Sequence, residues 1–270
     1  MNQTGQFVQI DWRGVPVRIE LQWIEAQRAG APLLVFLHEG LGSVAMWKDF
    51  PQRLCAAAGC RGLVYSRPGY GRSTPRGERE EWGPDFMHRQ AHEVLPAVLA
   101  ALGIEHPVWL LGHSDGASIA LLYGARWPQA VDGVIVLAPH IMVEDLSVAS
   151  IELARQAYLG QGLKQGLAKY HDDPDSAFWG WNRIWLDTAF RDWSITGEIG
   201  AIRCPLLAVQ GVDDEYGTMQ QVLGISQVLP QTEILALPDC GHSPHRDQPE
   251  RLIAAITDFL QRHPKPGDKP

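Results

Sequence analysis

The 270-residue chain has a length that suits one domain with a large insertion, or two small domains. Its net charge of −8, without a long basic run, argues against nucleic acid and anionic membrane surfaces as partners. Apolar stretches such as residues 32–37 are too short to cross a bilayer, and residues 1–14 contain no basic-then-apolar signal segment. We therefore predict a cytoplasmic protein without a membrane partner, which acts as a monomer or a homodimer.

The four cysteines carry no Cys-x-x-Cys spacing, so we interpret them as small buried side chains. No group of His, Cys, Asp and Glu has the spacing of metal ligands. The chain also contains no glycine-rich phosphate-binding loop. We predict neither a metal nor a cofactor.

Short apolar segments recur along the chain and predict strands. Residues 8–10 and 15–24 alternate around Arg13-Gly14 and predict a hairpin. Six uniformly apolar runs follow, and each ends in a loop signal: residues 33–37, 62–65, 108–111, 134–137, 206–209 and 234–237. Helix-like segments separate them, near residues 45–58, 85–102, 116–127, 217–229 and 247–262. Such runs fit strands covered on both faces, so we predict an α/β protein with a mostly parallel sheet flanked by helices.

One interval breaks this alternation, because no run between residues 140 and 202 predicts a strand. We predict an α/β core at 1–139 and 203–270, and a helical lid inserted at 140–202. Four of the ten tryptophans fall in the insertion: Trp179, Trp181, Trp185 and Trp193. They pack the insertion against the core, or they face a pocket, and both uses are compatible. Our pocket candidates here are His140, Trp179, Trp181 and Trp185.

Residues 108–120, VWLLGHSDGASIA, place a serine between two glycines where a predicted strand becomes a predicted helix. A sharp strand-to-helix turn needs small neighbours, which Gly112 and Gly116 provide. Ser114 would then stand exposed at the sheet edge and at a helix N-terminus, placed to attack a carbonyl. The alternative is an ordinary glycine-rich turn with a solvated serine.

A serine needs a base, and the base needs an orienting acid. The strand predicted at 206–209 leads into Gly211-Val-Asp-Asp214, and the strand predicted at 234–237 leads into Gly241-His242. Serine, aspartate and histidine therefore follow one another at strand ends. From the residues alone, Asp213 remains an alternative to Asp214 as the acid, and His245 remains an alternative to His242 as the base.

These motifs and their order resemble the α/β-hydrolase family over nearly the whole chain. Ser66-Arg-Pro-Gly-Tyr-Gly-Arg-Ser73 also resembles a structural loop of that family, usually Asp-x-Pro-Gly-x-Gly-x-Ser. The family's spacing implies that Asp214 is the acid and that Asp213 is a solvated or turn-capping residue. Its Gly-His turn implies that His242 is the base and that His245 is a surface or helix-entry residue.

The resemblance also implies an oxyanion hole made by the backbone N–H groups of Gly40 and Asp115. Glu39 stands where relatives usually have glycine. If it points inward, it is a pocket residue whose carboxylate lies near the developing negative charge. If it points outward, it is a solvated or ion-paired loop residue, and this is the orientation we expect. We expect His38 to stabilise its loop and the side chain of His113 to point away from Ser114.

The combined pattern predicts a serine hydrolase that forms an acyl-enzyme on Ser114 with a small-molecule substrate. The expected substrate is a small to medium carboxylic ester or related acyl compound, apolar or aromatic. The alternatives are hydrolysis of carbon–carbon bonds in ring-cleavage products, and hydrolysis of lactones, thioesters or amides. A receptor that binds a small molecule under the lid is an alternative of a different class, and a purely structural role is the last.

Overall fold

An eight-stranded sheet lies at the centre of the computed structural model, which describes residues 5–28, 30–77 and 82–264. The strand order is β1-β2-β4-β3-β5-β6-β7-β8. The strands are β1 Gln6–Trp12, β2 Val15–Ile24, β3 Leu33–Leu37, β4 Arg61–Tyr65, β5 Val108–His113, β6 Val131–Leu137, β7 Leu206–Gly211 and β8 Thr232–Leu237. The β1–β2 and β2–β4 pairs are antiparallel and the remaining pairs are parallel.

Helices connect the parallel strands and cover both faces of the sheet. The α-helices are α1 Phe50–Ala58, α2 Phe86–Arg89, α3 Leu95–Ala101, α4 Asp115–Arg126, α5 Asp145–Leu159, α6 Gly162–Leu167, α7 Pro174–Trp185, α8 Thr196–Ile199, α9 Gln220–Val228, α10 Pro244–Asp247 and α11 Pro249–Arg262. A π-helical turn at Gln90–Val94 joins α2 to α3. Short 3₁₀ turns lie at Val44–Trp47 and Thr188–Phe190.

The predicted α/β class and the mostly parallel sheet are confirmed. The hairpin β1–β2 forms, and each predicted apolar run lies within an observed strand. One strand differs from the prediction in its burial, because the side chain of Ile234 on β8 is 37% exposed to solvent. The expectation that this strand is covered on both faces is wrong, because β8 is the last strand of the sheet and has a neighbour on one side only.

The alternation of side chains along each strand divides the core into two layers. Val35 and Leu37 of β3 face the layer that contains α3 and α4, whereas Leu34 and Phe36 face the layer that contains α1 and α11. Helix α11 joins the second layer through buried residues at helical spacing: Leu252, Ile253, Ile256 and Phe259. The parallel strands are thus held rigidly from both sides, and their carboxyl ends share one edge of the sheet.

Residues 140–202, all of which the structure describes, contribute no strand to the sheet and contain helices α5 to α8. Polar contacts attach the start of this segment to the loop after β7. The Ser147 hydroxyl donates to the Tyr216 carbonyl at 2.5 Å, and the Glu144 carboxylate accepts the Thr218 backbone N–H at 2.9 Å. Helix α5 is therefore fixed beside the carboxyl ends of the strands.

The four cysteines all lie within the described residues, where they are buried and form no disulfide. Across the described ranges, no helix has both the length and the apolar character that a membrane span requires.

We predict that Gly116 is required for folding. A Cβ at this position would lie 2.0 Å from the Leu37 carbonyl oxygen, a backbone atom that cannot move aside cheaply. Gly116→Ala should lower the free energy of unfolding by about 3 kcal/mol or more, as severe overpacking does. Gly166→Ala is the control, because no atom lies within 4 Å of its Cβ position, and it should be neutral or stabilising by up to about 1 kcal/mol. Urea unfolding measures both, and equal stabilities would contradict the prediction.

Candidate active site

Ser114 occupies the predicted sharp turn between β5 and α4. Its backbone has φ 54° and ψ −119°, a region that a residue with a side chain rarely adopts and that costs about 1–3 kcal/mol. The turn is tight on both sides of the serine. A Cβ on Gly112 would lie 2.2 Å from the Gly116 carbonyl oxygen, and one on Gly116 would lie 2.0 Å from the Leu37 carbonyl oxygen. The two glycines are therefore what allows β3, β5 and α4 to meet around this side chain.

His242 joins Ser114 to Asp214. The Ser114 Oγ lies 2.9 Å from His242 Nε2, and His242 Nδ1 lies 2.9 Å from both carboxylate oxygens of Asp214. Since a carboxylate accepts, Nδ1 carries the proton and Nε2 presents a lone pair to the serine hydroxyl. The three residues singled out in the sequence thus form one hydrogen-bonded chain, with the geometry of a nucleophile, a base and an orienting acid.

Asp214 is held by more than the histidine. Its carboxylate accepts from the Tyr216 backbone N–H and from Gln210 Nε2, each at 2.7 Å. Burial alone would raise the pKa of Asp214, but the His242 hydrogen bond and charge, together with the Tyr216 N–H, outweigh burial and lower it. Asp213 is exposed to solvent. Gln210 was not predicted from the sequence, although a polar residue at the end of an otherwise apolar strand signals it.

A cavity of about 200 Å³ opens over Ser114. The residues predicted for the site that line it are Glu39, Gly40, Ser114, Asp115, His140, Trp181, Trp185 and His242. The other lining residues were not predicted from the sequence, and they are Leu41, His113, Ile151, Tyr216, Ser243 and Arg246. The wall is therefore mixed, with apolar and aromatic groups from the 140–202 segment and polar groups from the strand ends.

Helix α7 places two of the three candidate tryptophans on the cavity. Trp181 and Trp185 are four residues apart and share one face of the helix. The prediction for Trp179 is wrong, because a two-residue offset turns its side chain to another face. There it packs edge-on against Tyr158 and beneath the Arg183 guanidinium, 5.5 Å from the ring centre.

Gly40 and Asp115, the predicted oxyanion donors, both lie on the wall beside Ser114. Asp115 is the first residue of α4, so its backbone N–H has no acceptor within the helix. Gly40 lies directly under Trp181, since a Cβ there would be 2.2 Å from the indole Nε1. A glycine is therefore needed at residue 40 for the tryptophan to approach this loop.

Glu39 does not point outward as we expected. Its side chain is only 16% exposed, with Oε2 3.6 Å from His113 Nδ1 and Oε1 3.5 Å from Arg246 Nη2. Burial alone would raise the pKa of Glu39, but His113, then His245 and Arg246, hold it well below its ordinary value. The distant partners, which the sequence does not bring near residue 39, explain why an ionised carboxylate is tolerated here.

The histidines around the site occupy different environments. His140 lies with its ring centre 5.6 Å from that of His242, and burial, then His242, lower its pKa to about 3, so it is a neutral wall group. His113 places its Nε2 2.6 Å from the His242 carbonyl oxygen, so it supports the histidine loop from behind. Of the two positions expected for His245, the helix-entry position is confirmed, since it lies at the start of α10, and the surface position is wrong, because the side chain is buried against Trp47.

Over the described ranges, no group of three or more His, Cys, Asp or Glu side chains is arranged to hold a metal ion. The polar groups at the cavity form hydrogen-bonded pairs and chains, among them the chain from Ser114 through His242 to Asp214. Such a chain can support proton transfer and nucleophilic attack.

The side chain of Asp115 is a third carboxyl group at the site, beside those of Glu39 and Asp214. It is completely buried, and its one hydrogen bond accepts the Trp185 indole N–H at 3.2 Å. Its Oδ2 has no partner among the described residues. Burial raises the pKa of Asp115 from its ordinary 3.8 to about 6.

This pKa generates a prediction for stability. Between about pH 4 and pH 6 the unfolded chain loses the Asp115 proton while the native protein keeps it, so the free energy of unfolding falls as pH rises. The full difference is about 3 kcal/mol. Asp115→Asn removes it, so the variant should gain up to about 3 kcal/mol relative to wild type between pH 4 and pH 7. Urea unfolding across this range measures the difference. Exposed Asp213→Asn is the control and should show almost no such gain.

Comparisons with known proteins identify the family of the chain. The chain is 23% identical to mouse sn-1-specific diacylglycerol lipase ABHD11, over 86% of this chain and 82% of that protein. It is 23% identical to 2-hydroxy-6-oxo-6-phenylhexa-2,4-dienoate hydrolase of Burkholderia cepacia, over 95% and 96%. The structure of a thermophilic esterase from Thermogutta terrifontis superposes with a TM-score of 0.74 at 19% identity, covering 97% of this chain and 100% of that one. The family model described as the alpha/beta hydrolase family matches residues 34–255, and the chain belongs to that family.

Proposed function

We propose that this protein is a serine hydrolase that cleaves small to medium carboxylic esters or related acyl compounds. The observation that carries the proposal is the chain of 2.9 Å contacts from Ser114 through His242 to Asp214. A serine hydroxyl is a weak nucleophile unless a base takes its proton, and His242 presents its free nitrogen for this purpose.

In the proposed mechanism, His242 takes the Ser114 proton as Oγ attacks the substrate carbonyl. Asp214 keeps the His242 proton on Nδ1 and stabilises the imidazolium that forms. His242 then protonates the leaving group, and the acyl group stays on Ser114. A water molecule activated by His242 releases the acid and restores the serine. General base catalysis of this kind contributes about 10²–10⁴ in rate.

The oxyanion that forms during attack needs hydrogen-bond donors beside Ser114. We assign this role to the backbone N–H groups of Gly40 and Asp115, which share the cavity wall with the serine. The donors are fixed in the folded protein, so they require no reorganisation when the charge appears. One such donor is worth about 3 kcal/mol in the transition state.

The cavity suggests the substrate class. Its volume of about 200 Å³ suits a small acyl or alcohol group, and Ile151, Trp181 and Trp185 make one side apolar. All three residues come from the 140–202 segment, which we propose acts as the lid. Carbon–carbon bond hydrolysis is the second candidate, favoured by the match to the Burkholderia cepacia hydrolase over nearly both full lengths.

The first test of this proposal is hydrolysis of p-nitrophenyl esters of increasing acyl length. The wild type should hydrolyse the short esters, and Ser114→Ala should lower kcat by at least about 10³-fold, because the nucleophile is lost. A serine-directed phosphonate should label the wild type and not the variant. Ser226→Ala is the matched control, since this serine lies on α9 and bonds only the Leu223 carbonyl.

Three outcomes separate the alternatives. Activity that persists in Ser114→Ala would contradict the mechanism. A wild type that takes the phosphonate but hydrolyses no ester points to carbon–carbon, lactone or amide substrates. Tight binding of a small molecule without turnover would favour the receptor.

A second prediction concerns the lid face of the cavity. Trp181→Ala removes the indole that covers Gly40, so the preferred acyl chain should become longer by several carbons. The measurement is the ratio of kcat/KM for long and short p-nitrophenyl esters, because a group in an apolar pocket contributes about 0.8 kcal/mol per methylene. Trp179→Ala removes an equal side chain outside the cavity and should leave the ratio unchanged. A parallel change in both variants would mean that lid stability, and not cavity shape, sets the preference.

A further inference from the structure

Arg67 is a buried cation whose charge is not compensated by any carboxylate in contact with it. Its side chain is completely buried. Within the described ranges, no carboxylate oxygen lies within 4 Å of the guanidinium, and its Nη1 has no hydrogen-bond partner. Burying a charge without an opposite charge in contact is costly unless hydrogen bonds compensate for it. The group that Arg67 contacts is the loop after β3.

The carbonyl oxygen of Glu39 accepts three hydrogen bonds, one of them from the Gly42 backbone N–H at 3.1 Å. Arg67 Nη2 donates to it at 2.8 Å, and His38 Nδ1 donates at 2.7 Å. His38 Nε2 in turn accepts the Arg67 backbone N–H at 3.0 Å. Burial, and then the Arg67 charge, hold the pKa of His38 well below its ordinary value. His38 is therefore neutral, and its proton is on Nδ1, because Nδ1 donates to the Glu39 carbonyl while Nε2 accepts from the Arg67 backbone.

This network acts on the peptide group that joins Glu39 to Gly40. A trans peptide is planar, and its C=O and N–H point in opposite directions. The donors fixed on the Glu39 carbonyl, Arg67 among them, therefore aim the Gly40 N–H away from Arg67. Gly40 lies on the wall of the Ser114 cavity, whereas Arg67 does not. A cation bonded to the carbonyl also polarises the amide and strengthens its N–H as a donor.

We propose that Arg67 is a positioning residue for the oxyanion hole, which orients and polarises the Gly40 N–H from behind. The inference rests on the proposed function, because it concerns a charge that develops only during acyl transfer. Arg67 does not line the cavity, so its contact with the site runs through the peptide group between Glu39 and Gly40. The Glu39 carboxylate faces His113 and Arg246 instead of Arg67. The Arg67 charge also acts, without contact, on the Asp115 carboxyl group, where it opposes the effect of burial on the pKa.

The test compares Arg67→Lys and Arg67→Gln with wild type in two assays. The first gives kcat and KM for the best p-nitrophenyl ester. The second gives Ki for a trifluoromethyl ketone, which forms a tetrahedral oxyanion with an active serine. Arg72→Lys is the matched control, because this arginine lies in the same loop and is exposed. Thermal unfolding and near-ultraviolet circular dichroism establish that each variant is folded.

We expect Arg67→Gln to lower kcat and raise Ki by the same factor, about 10–100-fold, with KM within about threefold of wild type. Arg67→Lys keeps the charge but loses the planar fork, so its values should lie between those of wild type and Arg67→Gln. Arg72→Lys should match wild type. If Arg67→Gln does not fold, Arg67→Lys is the variant that tests the proposal. Its kcat should fall and its Ki should rise by the same factor.

A folded Arg67→Lys with an unchanged Ki and unchanged kcat would overturn the inference. So would a loss of kcat without a matching rise in Ki, because a general loosening of the site does not act selectively on the oxyanion. These outcomes differ from failure of the proposed function, in which the wild type neither hydrolyses the ester nor binds the ketone. That last result would contradict both the proposed oxyanion hole and the proposed role of Arg67.

Discussion

The close approach of Gly116 to the Leu37 carbonyl is the contact on which the site depends. It brings the start of α4 against the end of β3, so that Ser114 at the end of β5 and Gly40 after β3 share one cavity. The parallel register of β3 with β5 makes this possible, because both strands end at the same edge of the sheet. A larger residue at 116 would separate the two strand ends, and the serine would lose the neighbouring loop even if the base stayed in place.

The site also shows how a small protein interior accommodates several ionisable groups. Asp214 is ionised because the histidine, a backbone N–H and Gln210 face it. Glu39 is ionised because His113 and Arg246 face its carboxylate. These two residues lie on β5 and α10, two elements far from Glu39 in the chain. Asp115 has one weak donor and a raised pKa. The difference among these three carboxyl groups follows from the hydrogen bonds and the neighbouring positive charges that oppose burial at each, since all three are largely removed from water.

The sequence predicted those features that depend on local pattern. Uniform apolarity marked the parallel strands, and paired glycines marked the turn at Ser114, because backbone space is a local requirement. The edge position of β8 was not predictable, since burial of its second face depends on strand order. The direction of Glu39 was also missed, because its partners His113 and Arg246 are distant in sequence. The pocket position predicted for Trp179 is wrong for a simpler reason. The helical period, which places Trp179 and Trp181 on different faces of one helix, was not used within the insertion.

Helix α7 does more than cover the cavity. Trp181 lies on Gly40, and Trp185 donates to the carboxyl group of Asp115. Each of the two residues assigned to the oxyanion hole is therefore in contact with one tryptophan of the same helix face. Because Arg67 fixes the Gly40 peptide from the opposite side, that peptide lies between a buried cation and an indole. A movement of α7 would change the packing at both donors at once, so opening of the proposed lid and the geometry of the oxyanion hole are physically coupled.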